Sequence, residues 1–181
     1  ALGTAQLPLL TTAQVAALST AQLASMGTAD LDSFTTAQFA AFKTAQLRAL
    51  STSQIANLET ADLAALSTAQ MRSFSTAQVA ALSSDQLAAL STAQLAALGT
   101  SQVVGIGTGS LAAFTSTQIQ ALTTAQIAGL TTAQIDSLGT DQLAVLKTSQ
   151  VAALTSTQLR SLSTDDLNSL STSQFRALTT A

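Results

Sequence analysis

Large apolar residues recur along this chain at alternating steps of five and three. One set starts at Leu2 and returns every eight residues to Leu178; a second runs from Leu7 to Phe175 with the same period. All 23 members of the first set are Leu, Ile, Met or Phe, and all 22 of the second are Leu, Val, Ile, Met or Phe. Numbering the octad from the first set gives L-[ST]-T-A-Q-[LVI]-A-[AS], with the large residues at positions 1 and 6. No insertion breaks the register, which marks a repeat array rather than an irregular globular domain. The array is expected to be one continuous unit over 1–181, cut from a longer repeat protein, because the chain opens in mid-phrase with ALGTAQLPLL.

A strand places alternate residues on one face, so positions 1 and 6, of opposite parity, would point apart. Ala and Gln are also weak strand formers. An unbroken helix fits no better. Eight residues advance about 80° past two full turns, so the apolar stripe would wind around the axis. The pattern predicts an all-α solenoid, a superhelix of very short helices with one per octad; a β-solenoid is the alternative.

Position 3 is Thr in 20 octads and Ser in three (Ser84, Ser116, Ser156). A hydroxyl just before a helical segment suits an N-cap. The caps are therefore expected at Thr12, Thr20, Thr36, Thr52, Thr68, Thr76, Thr92, Thr124, Thr132 and Thr172. A second frame places the cap at position 2, where Ser-x-x-Gln would form a capping box. The first is preferred, because position 2 accepts Lys43, Lys147 and five glycines (Gly3, Gly27, Gly99, Gly107, Gly139). Glycine there reads as a left-handed C-terminal stop. Each helix is then expected over positions 4 to 8 plus the next position 1, with position 2 as hinge.

Helices this short do not persist alone in water. Positions 1 and 6, three apart, must share a buried face. Leu18, Leu50, Leu66, Leu82, Leu90, Leu122, Leu95 and Ile127 are the expected core. Position 8, mostly Ala, Ser or Gly, lets turns approach closely, and position 7 faces solvent. Gln occupies position 5 in 18 of 22 octads. It either bonds the backbone of an adjacent turn or is solvated, and the sequence leaves both open. So is the number of octads per superhelical turn, for which two, three and four all remain.

Charge supports the helical reading. Six of nine acids stand at positions 4 and 5 (Asp85, Asp141, Asp165; Asp30, Asp62, Asp166), and all four arginines at position 7. Acids early and bases late favour the helix dipole. Asp32, Asp136 and Glu59 depart from the rule.

Composition then narrows the chemistry. His, Cys, Trp and Tyr are absent, and 8% of residues are charged, well below the roughly 25% of an average domain. A net charge of −3 provides no basic field for nucleic acid. No apolar run approaches the roughly 20 residues of a membrane span, so no membrane insertion is expected. No catalytic, cofactor-binding or metal-binding residue stands out, and no cofactor is expected. Asp165 and Asp166 are consecutive and do not converge. Asp30 and Asp32 lack the frame of a calcium loop. GIGTGS (105–110) lacks the Lys and the strand of a phosphate loop.

The octad LTTAQVAAL (10–18) resembles the arrays found in very large bacterial exoproteins, commonly described as heme-utilisation or adhesion proteins. That resemblance implies an extracellular or cell-surface location and a structural, non-enzymatic spacer. Its partners would be neighbouring repeats and domains of the same parent chain. Heme ligation is not implied, since neither His nor Tyr is present. The alternatives are a module presenting a repetitive Ser/Thr surface to a glycan or to ice, and a helical scaffold for a protein partner.

Overall fold

The computed structural model describes residues 3–178. After a 3-10 turn at Leu7–Leu9, the described residues form 21 α-helices, from Thr12–Ala17 to Thr172–Ala177, one in each of these octads. No strand occurs among the described residues, which removes the β-solenoid alternative. Each helix holds four to six residues, about one turn and a half. Isolated, none would be stable.

Every helix begins at position 3 and closes at position 6, 7 or 8. Position 2 is extended at the N-cap of each of these helices, with φ between −62° and −77° and ψ between 145° and 169°. Position 1 is extended as well where a helix before the last reaches position 8, as at Leu50 (φ −66°, ψ 138°); Leu178, after the last helix, keeps helical angles (φ −73°, ψ −19°). Position 1 therefore lies outside the helix instead of closing it. No described residue has positive φ. The glycines at position 2 are not left-handed stops: Gly27, Gly99, Gly107 and Gly139 sit in ordinary extended geometry at helix N-termini. The chain does not reverse over its own C-terminal carbonyls, so it needs no residue with positive φ.

The principal helix contacts among the described residues join each helix to the one three further along, such as Thr92–Ala97 with Thr68–Arg72 and with Ser116–Ala121. The glutamine hydrogen bonds between turns span 28 to 31 residues. One superhelical turn thus takes between three and four octads.

The core runs along the superhelix axis. Leu50, Leu66, Leu82, Leu90 and Leu122 from position 1, and Leu95 and Ile127 from position 6, are buried; Leu18 is partly buried against the same core. Phe34, Phe39 and Phe42 meet edge to face, with ring centres 5.2–6.3 Å apart, the favoured aromatic geometry. Six acids lie in first helical turns and Arg48, Arg72, Arg160 and Arg176 in last turns, as the dipole favours.

Small residues at position 8 face the Thr of position 3 one turn earlier. A Cβ built on Gly105 would stand 2.9 Å from Thr76 Cγ2, and one on Gly129 would stand 3.4 Å from Thr100 Cβ. This close approach explains why position 8 stays small.

Candidate functional site

The repeating unit of chemistry is a seam between turns, built on the buried amide of position 5. Each short helix leaves its first N–H groups and last carbonyls without helical partners. Gln94 resolves both ends at once. Its Oε1 accepts from the Ser91 backbone N–H at 2.8 Å, and Ser91 Oγ accepts from the Gln94 backbone N–H at 3.2 Å. That pair is a capping box. Its Nε2 donates to the carbonyls of Leu63 (2.9 Å) and Leu66 (2.7 Å), in the preceding turn.

The same bridge recurs at 15 glutamines from Gln38 to Gln174, each donating to the carbonyl 28 residues earlier at 2.6–3.3 Å. All 15 are buried. Of the two roles open for this glutamine, bonding the adjacent turn is the one observed. It joins one helix's N-terminus to the C-terminus of a helix in the turn before.

The caps stand one residue earlier than expected. Thr11, Ser19, Thr35, Ser51, Ser67, Ser75, Ser91, Thr123, Thr131 and Ser171, all at position 2, are the N-caps. The expected caps, Thr12, Thr20, Thr36, Thr52, Thr68, Thr76, Thr92, Thr124, Thr132 and Thr172, are instead the first helical residues and are exposed. Tolerance of Lys and Gly at position 2 had argued against it as the cap. The glutamine removes that objection. Its Oε1 takes the backbone N–H of position 2 whatever the side chain, as at Lys43 (2.7 Å) and Gly99 (2.6 Å).

Position 5 departs from Gln at Asp30, Asp62, Ser110 and Asp166. Asp30 and Asp166 keep the capping half, accepting from the N–H groups of Gly27 (3.2 Å) and Ser163 (2.9 Å). Asp166 also accepts from Ser163 Oγ at 2.7 Å, while Asp165 is exposed. The pair is thus divided between a cap and solvent. In GIGTGS, Gly107 is an N-cap in register, and Ser110 Oγ lies 3.0 Å from Ser84 Oγ.

Asp62 is 2% exposed. Burial first, then the charges of Glu59 and Asp32, push its carboxyl up to about 6; Asp32 is raised by burial and by Glu59. Among the described residues, no three His, Cys, Asp or Glu side chains are grouped so that they could hold a metal ion.

The outer surface is formed by positions 2, 3, 4 and 7. It carries rows of Ser and Thr, with Arg48, Arg72 and Arg160 exposed at position 7. A shallow hollow of about 430 Å³ is lined by Thr92, Ala96, Thr117, Gln120 and Lys147 among others. Gln120 Nε2 is already engaged there by the Val145 carbonyl at 2.8 Å. No helix among the described residues is long and apolar enough to cross a membrane.

Short capped helices, one per octad, locked turn to turn by a buried amide, define an α-helical solenoid repeat protein. The chain belongs to the ALTTAQ repeat family, whose model matches residues 1–28, 23–60, 55–92, 84–115, 104–132, 124–156 and 148–180. No curated protein matches the chain.

Proposed function

We propose that this array is a spacer, a stalk segment of a large bacterial surface or secreted adhesin-like protein that holds other domains away from the cell. It works outside the cell, without catalysis, and its partners are the neighbouring repeats and domains of its parent chain. The observation that carries this reading is the glutamine bridge. Repeated at 15 seats in one register, it ties each turn to the next. Each turn contacts only its neighbours, so length grows with octad number. A buried, fully bonded polar network of this kind favours rigidity over adaptability. Small-angle scattering on arrays of increasing octad number tests the reading. A maximum dimension rising in proportion to octad count supports a spacer; a compact particle whose dimension does not follow octad count refutes it.

One observation favours a second reading, a module with a repetitive Ser/Thr surface that binds a glycan or ice. The threonines of position 3 are exposed and are not caps, so their hydroxyls are available on a periodic lattice. Thermal hysteresis and glycan-array binding test it, and inactivity in both removes it.

A further inference from the structure

The four octads without Gln at position 5 differ in what occupies the seat. Asp30, Ser110 and Asp166 each hold a side-chain hydrogen bond. Asp62 has none among the described residues, although it is 2% exposed. By register, its seat faces the carbonyls of Leu31 and Phe34, 31 and 28 residues earlier. At each of the 15 glutamines from Gln38 to Gln174 an amide N–H reaches the second of these positions, as Gln54 reaches Met26 (2.8 Å) and Gln70 reaches Phe42 (2.8 Å). At Asp62 neither carbonyl receives a side-chain donor. An ionised carboxylate has none to offer.

The capping half fails too, for a reason visible in the sequence. The N-cap residue is Glu59, whose carboxylate carries like charge beside Asp62, and no capping box forms there. Asp32, in the turn before, adds to it. Helix Thr60–Ala65 packs on helices Thr36–Ala40 and Ser84–Ala88. The first carries no titratable residue and the second carries Asp85, which is exposed. Helix Thr28–Asp32 contributes Asp30 and Asp32. None of these helices bears a Lys or Arg, so no cation on them offsets the cluster.

We propose that Asp62 is a proton-operated clasp between two successive turns. With a proton taken from solvent, its O–H supplies the donor that the Phe34 carbonyl lacks, while the Leu31 carbonyl already accepts from the Phe34 backbone N–H at 3.0 Å. Losing that proton to solvent sets a charge against two carbonyl dipoles and loosens this one seam, while the glutamine seams on either side stay closed. The ligand is the proton, and the operating range is mildly acidic, consistent with the raised carboxyl. The array then has one joint whose tightness follows pH.

The test uses the full chain, with carbon-13 NMR of the Asp62 carboxyl and hydrogen-exchange protection factors for the amides of Leu31–Thr35 and Leu63–Leu66. Expected are a titration midpoint well above that of an ordinary carboxylate and a fall in protection of about tenfold or more from pH 5 to pH 7.5. Asp62→Gln, which restores the array's own residue and so folds, should hold protection constant across that range. Glu59→Gln should move the midpoint down while keeping the transition. Protection in Asp62→Gln that still falls with the wild-type profile, or an Asp62 carboxyl titrating at the ordinary value, overturns the proposal.

Discussion

The side-chain amide of Gln94 donates to the carbonyl oxygen of Leu66, 28 residues earlier, at 2.7 Å. Leu66 lies beyond the end of its helix, in extended geometry (φ −69°, ψ 140°). Its carbonyl has no partner within its own turn, so the glutamine of the next turn completes it.

Removing that amide exposes how much the seam contributes. Gln94→Ala leaves the carbonyl of Leu66 and the N–H of Ser91 without partners and takes the second donor from the Leu63 carbonyl, which keeps the Leu66 N–H, and should cost about 2–4 kcal/mol. Gln94→Glu retains the acceptor for Ser91 but loses the donor and buries a charge, so it should destabilise at least as much at pH 7 and partly recover in acid. Urea unfolding followed by circular dichroism measures both. A cost for Gln94→Ala below about 0.5 kcal/mol, the range of an ordinary surface change, would deny the seam its role.

The frame of the cap separates two neighbouring hydroxyls. Ser91→Ala deletes the acceptor for the Gln94 N–H and should cost about 1 kcal/mol. Thr92→Ala, at the first helical position, should cost less than about 0.5 kcal/mol, since Ala has the higher helix propensity. Thermal melts of the two single variants decide between the frames, and the reverse order would restore position 3 as the cap.

Glycine at position 8 makes a graded prediction. Gly105→Ala drives a Cβ to 2.9 Å from Thr76 Cγ2 and 3.2 Å from the Thr76 carbonyl oxygen, so the two turns must part, at about 1–2 kcal/mol. Gly129→Ala meets Thr100 only at 3.4 Å and should be neutral or stabilising through helix propensity. Equal effects in a denaturant series would mean that close approach of turns does not set this position.

Ser110 marks a seat with no amide, facing by register the carbonyls of Val79 and Leu82. Ser110→Gln should stabilise by about 1 kcal/mol by supplying the missing bridge, read as a rise in the urea midpoint with unchanged slope.

The pH profile follows from Asp62. Its carboxyl sits near 6 in the folded chain, above the ordinary 3.8. Between those values the folded state holds a proton that the unfolded state has released. Stability is therefore fully present below about pH 4, declines as pH rises through 6, and ends lower by about 1–3 kcal/mol. Asp62→Gln should remove this decline in pH-dependent melts. Asp32, also raised, adds a smaller decline of the same sign.

Period and polarity along the chain were enough to read one short helix per octad, positions 1 and 6 as core, and acids and arginines at opposite helix ends. These follow from local rules: parity excludes strands, 3.6 residues per turn excludes one long helix, and the dipole sorts charge. The cap at position 2 is not legible in the octad, because Lys43 and Gly99 look wrong there until the role of the glutamine is known. That role depends on carbonyls 28 to 31 residues away, a separation that carries no signal in an octad so uniform. The Asp62 seat was hidden in the same way, since an acid in a first helical turn has a sufficient local explanation.

The repeating unit is written in the octad: an eight-residue phrase with two buried side chains, too short to be stable alone and therefore bound to stack. Stacking of the turns sets the rest: a turn takes between three and four octads, Gln is interior, and Thr of position 3 packs against position 8 of the next turn. The physical reason is that backbone groups left unpaired at each helix end must be satisfied from outside the octad. Which residue can reach them is set by the pitch of the superhelix, a property no single repeat possesses.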